Sequence, residues 1–461
     1  MASHQIISPV DQTVYKAVPL KSVPEALEVL EISKNAQKQW KKTSVEERVK
    51  IVESFCQHFL EDREEIATEL AWLIGRPRQQ NFNEVNGLIT RAKYMASIAK
   101  ESLKDTVVEE SEEFVRFIAR EPLGVVFIIA AWNYPYLVSV NGVVPAILAG
   151  NSVILKQAPQ TFPVAERFLK AFEKAGLPKG VFQFLHIDHP TAEAVIKHPN
   201  VAYTHFTGSV GGGAAVNKIA ASSTFIGVGL ELGGKDPAYV REDADPISVA
   251  DNLVDGAMYN SGQSCCAVER IYVHEKIYDE FVNRAVETAK KYVLGSPFDS
   301  ASNLGPVIKP EAATAIRAQI KDAVDKGAKC LIDESLFPIA KPGTAYVAPQ
   351  ILVNVNHTMK VMRDETFGPV VGIMKVKNDQ EAIELMNDSE FGLTASVWTK
   401  DRQKGLEIGK QVETGTFYVN RCDYIDPALP WIGIKNSGRG CTMSKYGFDQ
   451  LTRPKSYHLR K

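Results

Sequence analysis

Apolar residues recur every three or four positions in the first hundred residues, and this spacing predicts amphipathic helices at 24–40, 45–74 and 82–103. A polar stretch at 109–120 alternates near its end, which predicts an extended ribbon. From Leu123 onward the pattern changes to short apolar runs separated by helical segments. The chain is therefore expected to open with helices and to continue with sheet.

The short apolar runs predict buried strands, and the amphipathic segments between or just after them predict helices. The strands are expected at 124–130, 152–156, 181–186 and 201–206. The helices are expected at 164–175, 191–197 and 214–221. Strands that alternate with helices of this length indicate a parallel α/β sheet.

A second series of alternating elements follows Gly234. It comprises a helix at 250–260 and strands at 270–273, 370–375 and 395–399. A chain of 461 residues is also too long for one hydrophobic core. We therefore predict a second α/β domain.

Composition narrows the range of partners. The formal net charge of −2 and the absence of a long Lys/Arg block argue against nucleic acid and anionic membranes. The longest apolar stretch, 125–132, is far shorter than the roughly 20 residues that span a bilayer. Residues 1–8 lack the features of a signal peptide, and the six cysteines have no metal-ligand spacing. We expect a cytosolic protein without a bound metal.

Two residues suggest covalent chemistry. Cys265 lies in Tyr259-Asn-Ser-Gly-Gln-Ser-Cys-Cys-Ala267, and Glu231 precedes it in the chain within Leu230-Glu-Leu-Gly-Gly-Lys235. A thiolate is the reactive form of cysteine, and a nearby carboxylate is a suitable base. The alternative is a small buried cysteine with a purely structural role.

Asn133 follows an apolar run directly and is held by the downstream Pro135. A side-chain amide at this point is able to donate to a developing oxyanion, which typically contributes about 3 kcal/mol. The alternative is an asparagine that only forms a turn before proline.

Glycines follow another apolar run, in His205-Phe-Thr-Gly-Ser-Val-Gly-Gly-Gly-Ala214, and open a helix. Such a segment lets a phosphate approach the backbone and the helix N-terminus. Lys156, at the end of a strand, is placed to contact an adenosine ribose or a 2′-phosphate. A simple turn and a solvated lysine remain the alternatives.

Further segments complete an ordered set along the chain: Trp132-Asn-Tyr-Pro135, Lys156, Phe206-Thr-Gly-Ser-Val-Gly-Gly-Gly213, Glu231-Leu-Gly-Gly-Lys235, Gly262-Gln-Ser-Cys265, Glu365-Thr-Phe-Gly-Pro369 and Gly433-Ile-Lys-Asn-Ser-Gly438. With this set the chain closely resembles the aldehyde dehydrogenase superfamily over essentially its full length. The resemblance implies an α/β protein with a Rossmann-like NAD(P)-binding domain, a catalytic domain and a β oligomerisation arm.

The resemblance also implies domain bounds. The cofactor domain would comprise 1–104 and 123–232, with 432–450 packing back on it, and the catalytic domain would comprise 233–431. The arm would comprise 105–122 and 451–461. Its ribbon would pair with the C-terminal strand, around 453–459, of a neighbouring subunit in a homodimer or a dimer of dimers.

By the same resemblance, Cys265 would attack the aldehyde carbonyl, while Asn133 and the Cys265 backbone amide would hold the oxyanion. Glu231 would activate the water that hydrolyses the thioester, so transfer to coenzyme A is not expected. Glu365 would bind the nicotinamide ribose and Ser209 the pyrophosphate. The full set of expected cofactor residues is Trp132, Lys156, Gly208, Ser209, Gly213, Leu232, Gly233, Glu365 and Phe367.

Two departures from the family's pattern affect these expectations. The Lys-Pro-x-Glu motif reads Lys156-Gln-Ala-Pro159, so the carboxylate that binds ribose and repels a 2′-phosphate is absent. NADP and NAD therefore both remain open as cofactors. Gly438-Arg-Gly-Cys441 lacks the glutamate of a Gly-Arg-Glu run. Glu231 would then act alone or through water.

Relatives that oxidise semialdehydes carry two arginines where this chain has Asn141 and Tyr259, which disfavours a carboxylated aldehyde. We predict an uncharged aliphatic or aromatic aldehyde. A succinate-semialdehyde-type activity through Arg421, and a non-enzymatic or structural member of the family, are the alternatives. The expected pocket residues are Tyr134, Val138, Asn141, Tyr259, Ser264, Cys266, Arg421 and Tyr424, with Trp431 as a further candidate.

Cys266 is expected to be a small buried residue. A reversible link to Cys265 under oxidation is the alternative. A thiol esterase that forms the same acyl-enzyme without a cofactor is also weighed, but it would leave Lys156, Glu365 and the glycine segment without a role.

Overall fold

A computed structural model describes residues 2–223 and 225–461. Met1 and Thr224, which the predicted cofactor domain includes, lie outside the described residues. The strands are β1 Ser3–Ile7, β2 Val14–Pro19, β3 Thr106–Glu110, β4 Phe114–Pro122, β5 Val125–Ala130, β6 Ser152–Gln157, β7 Phe182–Phe184, β8 Val201–Thr207, β9 Gly227–Glu231, β10 Asp236–Val240, β11 Val268–His274, β12 Lys329–Cys330, β13 Gln350–Val353, β14 Val370–Val376, β15 Phe391–Gly392, β16 Thr394–Trp398, β17 Thr416–Val419, β18 Ile434–Lys435, β19 Gly438–Arg439 and β20 Thr452–Arg460.

The helices confirm the α/β prediction. They are α1 Val23–Trp40, α2 Val45–Glu61, α3 Arg63–Ile74, α4 Arg78–Ser102, α5 Pro135–Leu148, α6 Phe162–Lys174, α7 His189–Ile196, α8 Val210–Ala221, α9 Pro246–Met258, α10 Tyr278–Ala289, α11 Pro310–Asp325, α12 Lys360–Arg363, α13 Asp379–Asn387, α14 Arg402–Gly409 and α15 Ser444–Asp449. Of the described helices, none has the length and apolar character needed to cross a membrane.

The N-terminal helices follow from local capping. Ser44 accepts a hydrogen bond from the Glu47 backbone N–H, and the Glu47 carboxylate accepts from the Ser44 backbone in return, so α2 begins at Val45. The helix predicted at 45–74 was wrong in one respect, because it divides into α2 and α3 at Asp62. Asp62 leaves helical geometry and accepts a hydrogen bond from Lys170 of α6 at 2.8 Å.

The first large sheet has the strand order β19-β9-β8-β5-β6-β7, and only β19 runs antiparallel to its neighbour. Three of the four predicted strands match β5, β6 and β8 closely, while the fourth is shorter than expected. The sequence analysis missed β9, whose glycines at 227 and 229 interrupt the apolar run. Because β5, β8 and β9 are parallel neighbours, their carboxyl ends lie along one edge.

The second large sheet has the order β12-β13-β14-β11-β10-β16-β17, with all pairs parallel except β12 with β13. The predicted strands at 270–273, 370–375 and 395–399 correspond to β11, β14 and β16. The central strand β10 was missed because it is only five residues long and begins with Asp236 and Pro237.

The three-stranded antiparallel sheet β20-β4-β3 corrects one prediction. β20 pairs with β4 of the same chain, from Thr452 opposite Pro122 to Arg460 opposite Phe114, whereas the sequence analysis placed the partner ribbon on a neighbouring subunit. The connection from α15 to β20 is short, and the Asn151 side-chain amide donates to the Leu451 carbonyl at 2.9 Å. This bond directs the chain into β20 beside the end of β4.

We propose the same domain division as the sequence indicates. The six-stranded sheet takes its five parallel strands from 125–231, and β19 supplies a strand from the segment expected to pack back on it. All strands of the seven-stranded sheet come from 236–419.

The core beneath α2 predicts the effect of a single substitution. Phe55 is fully buried and stacks on Phe172, with ring centroids 4.1 Å apart. Phe55→Ala removes this ring from a packed core and should cost about 3–5 kcal/mol. Leu60→Ala is the matched control, because Leu60 lies on the same helix but is 41% exposed and should change stability by no more than about 0.5 kcal/mol. Denaturant midpoints of both variants check this, and equal shifts would contradict it.

Candidate active site

The loop that carries Cys265 has an unusual backbone. After α9 ends, Asn260, Ser261 and Gly262 all adopt positive φ, at 52°, 58° and 70°. A Cβ on Gly262 would lie 2.1 Å from the Gly368 carbonyl oxygen, so only glycine fits there. This turn brings the chain tightly against the segment that precedes β14.

Hydrogen bonds join this loop to the segment after β5. The Asn260 amide donates to the backbone carbonyls of Asn133 at 3.2 Å and Gln263 at 3.1 Å. The Asn133 amide also donates to the Gln263 carbonyl, at 3.2 Å. Asn133 follows β5 of the first large sheet, and the Cys265 loop precedes β11 of the second. These hydrogen bonds therefore fix the two segments next to each other.

Two cavities meet at Cys265. The larger has a volume of about 480 Å³ and the smaller about 180 Å³. Both are lined by the same five residues, which are Asn133, Thr207, Glu231, Leu232 and Cys265. The three residues predicted to be catalytic are thus brought to one junction.

Glu231 ends β9 and is held by two threonines. Thr442 donates to one carboxylate oxygen, and Thr207, at the end of β8, donates to the other at 3.3 Å. His205 Nε2 lies 3.8 Å from Glu231, and burial lowers the pKa of His205, which favours its neutral form. Sequence reasoning missed both threonines, because Thr442 approaches Glu231 only when the C-terminal segment folds back.

The smaller cavity contains most of the residues predicted to bind a cofactor. It is lined by Trp132, Gly208, Ser209, Leu232, Gly233, Glu365 and Phe367. The Trp132 and Phe367 rings meet edge to face at 5.6 Å. Burial, with a contribution from Glu269, raises the pKa of Glu365 to about 7. A Cβ on Gly233 would lie 2.4 Å from the Glu365 carboxylate, so a larger residue at 233 would displace that side chain.

Lys156 and Gly213 line neither cavity. Lys156 is buried at the end of β6 with its Nζ 3.5 Å from the Gln157 carbonyl, and burial lowers its pKa to about 8. Gly213 lies in α8, where a Cβ would approach Leu232 to 2.6 Å. Gly213 therefore permits close packing of the helix on Leu232, whereas Ser209 caps the same helix by accepting from the Gly212 N–H.

The larger cavity contains the predicted substrate residues with one exception. Its lining includes Tyr134, Val138, Asn141, Tyr259, Ser264, Cys266, Tyr424 and Trp431. Arg421 is exposed and does not line it, because its guanidinium carbon stacks 3.5 Å from the centre of the Tyr424 ring.

Three charged residues of the larger cavity were missed, namely Glu84, Arg91 and Asp423. Glu84 and Arg91 lie on the buried stripe of α4 with Val85 and Leu88. Their spacing along an otherwise apolar helical stripe was the available signal, since charged residues are rarely buried there without a role. For Asp423 the sequence offers no such signal.

Asp423 binds the residues on both sides of Cys265. Its Oδ1 accepts hydrogen bonds from the Ser264 hydroxyl at 3.1 Å and from the Cys266 thiol at 3.2 Å. Burial raises the pKa of Asp423 to about 6. Cys266 is buried and its thiol is engaged in this contact, which agrees with the expectation of a buried residue.

Comparison with known proteins gives a consistent picture. The model of the aldehyde dehydrogenase family matches residues 2–457. Human retinal dehydrogenase 2 is 34% identical over 424 residues, which cover 91% of this chain and 81% of that protein. The NADP-dependent glyceraldehyde-3-phosphate dehydrogenase of Bacillus halodurans superposes with a TM-score of 0.94 at 31% identity, covering 100% of this chain and 96% of the other. Succinic semialdehyde dehydrogenase of Streptococcus pyogenes gives 0.94 at 28% identity, with coverage of 99% and 100%.

The raised pKa of Asp423 predicts a pH dependence of stability. The folded-state pKa of about 6 lies above the ordinary 3.8, so the neutral form of Asp423 favours the fold and its ionisation opposes folding. The stability that the neutral form contributes is present below pH 3.8 and is lost as the pH rises through 6. Asp423→Asn does not titrate, so its stability relative to wild type should rise over that window by at most about 3 kcal/mol. Denaturant midpoints at about pH 4.5 and about pH 7.5 measure this difference. A difference that does not vary with pH would show that Asp423 ionises normally.

Proposed function

Because the chain belongs to the aldehyde dehydrogenase family, we propose that it oxidises an aldehyde to the carboxylic acid with NAD(P)⁺ through a thioester on Cys265. The observation that carries the proposal is the position of Cys265 at the junction of two cavities. Asn133 and Glu231 line both cavities with it. One cavity then serves the aldehyde and the other the cofactor.

The residues of the smaller cavity fit a dinucleotide. Gly208 and Ser209 precede α8, whose first turn contains three glycines and leaves backbone N–H groups for a phosphate. Glu365 accepts from the Gly234 N–H at 3.1 Å and retains an oxygen that is able to accept from a ribose hydroxyl. Bound NAD(P)⁺ would supply the hydride acceptor. NADP and NAD both remain candidates, since Pro159 replaces the carboxylate that selects against a 2′-phosphate.

Covalent attack is the first step that we assign. After the Cys265 thiol loses its proton to water, the thiolate sulfur bonds to the carbonyl carbon, the C=O π bond breaks, and the carbonyl oxygen becomes an oxyanion. Asn133 Nδ2 has one N–H engaged with Gln263, so its second N–H is free to donate to that oxyanion, together with the Cys265 backbone N–H. Fixing Asn133 by the Asn260 bridge places this donor before substrate arrives.

The hydride lost from the carbon bonded to Cys265 would go to bound NAD(P)⁺ and leave a thioester. Glu231 is assigned to the second step, the hydrolysis of this thioester. It removes a proton from water, the hydroxide adds to the thioester carbon, and the bond to Cys265 sulfur breaks to release the acid. Thr207 and Thr442 orient the carboxylate through their hydrogen bonds. Gly440 stands where the family's glutamate would follow Arg439, and the Thr442 hydroxyl, two residues further on, donates to the Glu231 carboxylate.

We propose two candidate classes of substrate. An uncharged aliphatic or aromatic aldehyde is suggested by Asn141 and Tyr259 and by the aromatic rings of the cavity. A carboxylated aldehyde is the second candidate, and we favour it over the first because the buried guanidinium of Arg91 lines the same cavity. The earlier alternative through Arg421 is less suitable, because that side chain lies outside the cavity lining.

We also propose a homodimer or a dimer of dimers in the cytosol. β20 presents its outer edge on the three-stranded sheet, and its residues are mostly exposed. An unpaired strand edge of nine residues is a template for pairing with a second chain. Nucleic acid and membranes are not expected partners.

Replacing the base tests the two-step scheme. Glu231→Gln should still form the thioester but should hydrolyse it slowly, because an amide is not a base. We expect a burst of absorbance at 340 nm equal to one reduced nucleotide per active site, followed by a steady rate lowered about 10²–10⁴-fold. Cys265→Ser is the control and should give no burst. Full turnover by Glu231→Gln would remove Glu231 from this role.

Replacing Lys156 tests its part in cofactor choice. Only NADP⁺ carries a 2′-phosphate, so Lys156→Met should raise KM for NADP⁺ about 10-fold or more and should leave KM for NAD⁺ less affected. Initial rates with each nucleotide at a fixed aldehyde concentration measure both constants. An equal change in the two KM values would mean that Lys156 does not contact the phosphate.

A further inference from the structure

Arg91 is a buried cation in the larger cavity. It projects from α4, is 8% exposed and lines the cavity together with Cys265. The hydrogen bonds it makes are both donated from Nη1, to the Leu137 carbonyl at 3.3 Å and to Asn141 Oδ1 at 3.1 Å. Within 2–223 and 225–461, no carboxylate oxygen lies within 4.0 Å of its guanidinium nitrogens.

The acidic residues of the cavity are each engaged elsewhere. Glu84 pairs with Arg76 and accepts from the Tyr136 N–H at 2.7 Å. Glu231 is held by its two threonines, and Asp423 by Ser264 and Cys266. Among the described residues, no carboxylate is therefore bonded to the Arg91 guanidinium, and Glu231 and Glu84 act on its charge only at longer range. A buried unpaired cation is costly, and a bound anion would offset that cost.

Asn141 completes the site. It lies on α5 in the lining of the same cavity, and its Oδ1 accepts from Arg91. The guanidinium of Arg91 thus reaches the same part of the cavity from a different helix. Because Asn141 uses its oxygen on Arg91, its Nδ2 is left to donate to a ligand beside the guanidinium.

We propose that Arg91 and Asn141 bind a carboxylate at the end of the substrate remote from the aldehyde, so that the enzyme acts on a carboxylated aldehyde. This inference rests on the proposed function. A monoanion suits the site better than a phosphate dianion, because one guanidinium balances one charge and three carboxylates line the same cavity. The missing arginine at 141 therefore does not exclude charged substrates.

The test compares kcat/KM for succinic semialdehyde with kcat/KM for butanal, an uncharged aldehyde of the same chain length. Wild type should prefer succinic semialdehyde, and Arg91→Gln should lower the ratio of the two constants about 10–100-fold, as expected for loss of a charge-assisted bond. Arg91→Lys should restore part of the ratio. Arg63→Gln is the matched control, because Arg63 is an exposed arginine on α3 outside the cavity, and it should leave the ratio as in wild type.

Several outcomes would overturn the inference. These are a wild-type preference for butanal, an equal loss on both substrates in Arg91→Gln, or a fall of the ratio in Arg421→Gln instead. A higher kcat/KM for glyceraldehyde 3-phosphate than for succinic semialdehyde would also overturn it, in favour of a phosphate site. If wild type oxidises butanal and succinic semialdehyde with equal kcat/KM, the inference is overturned but the proposed function stands. No nucleotide reduction by wild type with any aldehyde would instead reject the proposed function itself.

If Arg91→Gln does not fold, Arg91→Lys alone decides the matter. Lysine keeps the charge but cannot offer the paired donors of a guanidinium, so KM for succinic semialdehyde should rise several-fold more than KM for butanal. An unchanged ratio of the two KM values would contradict a direct contact.

Discussion

The amide of Asn260 is the interaction on which the site depends. It bridges the backbone carbonyls of Asn133 and Gln263, and so it fastens the end of one sheet to the loop before Cys265. The bridge requires the left-handed turn at 260–262, which costs backbone energy and which glycine at 262 alone is able to complete. Without it, only the hydrogen bond from the Asn133 amide to the Gln263 carbonyl would hold the proposed oxyanion donor beside the loop of the thiol.

Other buried charged side chains are also held by specific partners. The buried residues Lys235 and Glu269 pair at 2.5 Å, and Glu269 also accepts from the Thr366 and Phe367 N–H groups. These contacts fix the turn that carries Glu365 and Phe367. In the part of the chain that the structure describes, Arg48 and Arg270 are also buried without a carboxylate partner, but all three guanidinium nitrogens of each donate hydrogen bonds within the protein. Arg91 donates only from Nη1 and lines a cavity, and this difference is better explained by a ligand than by stability.

The sequence predicted those elements whose formation depends on residues close together in the chain. Amphipathic spacing located the N-terminal helices, and apolar runs located β5, β6 and β8, because both patterns follow from the burial of single elements. The helix break at Asp62 and the pairing partner of β20 were not predicted. The break at Asp62 coincides with a contact to Lys170, more than a hundred residues away, and β20 pairs with β4, which is more than three hundred residues away.

The same distinction applies to the site. Cys265, Asn133 and Glu231 were found from short motifs, and the structure brings them to one junction. Thr442 and Asp423 were missed because only folding places them beside Glu231 and Cys266. Glutamate and arginine on the buried stripe of α4 were visible in the sequence, but their significance depends on the cavity that the stripe faces.

The central claim is that Cys265 bonds covalently to the substrate carbonyl carbon. Peptide mass spectrometry after acid quenching of a single turnover, with enzyme in excess over aldehyde and with NAD(P)⁺ present, tests it most directly. The account predicts an acyl group on Cys265, seen as the mass of the aldehyde less two hydrogen atoms. An adduct on Cys266, or oxidised product without any enzyme-bound adduct at every quench time, would contradict it.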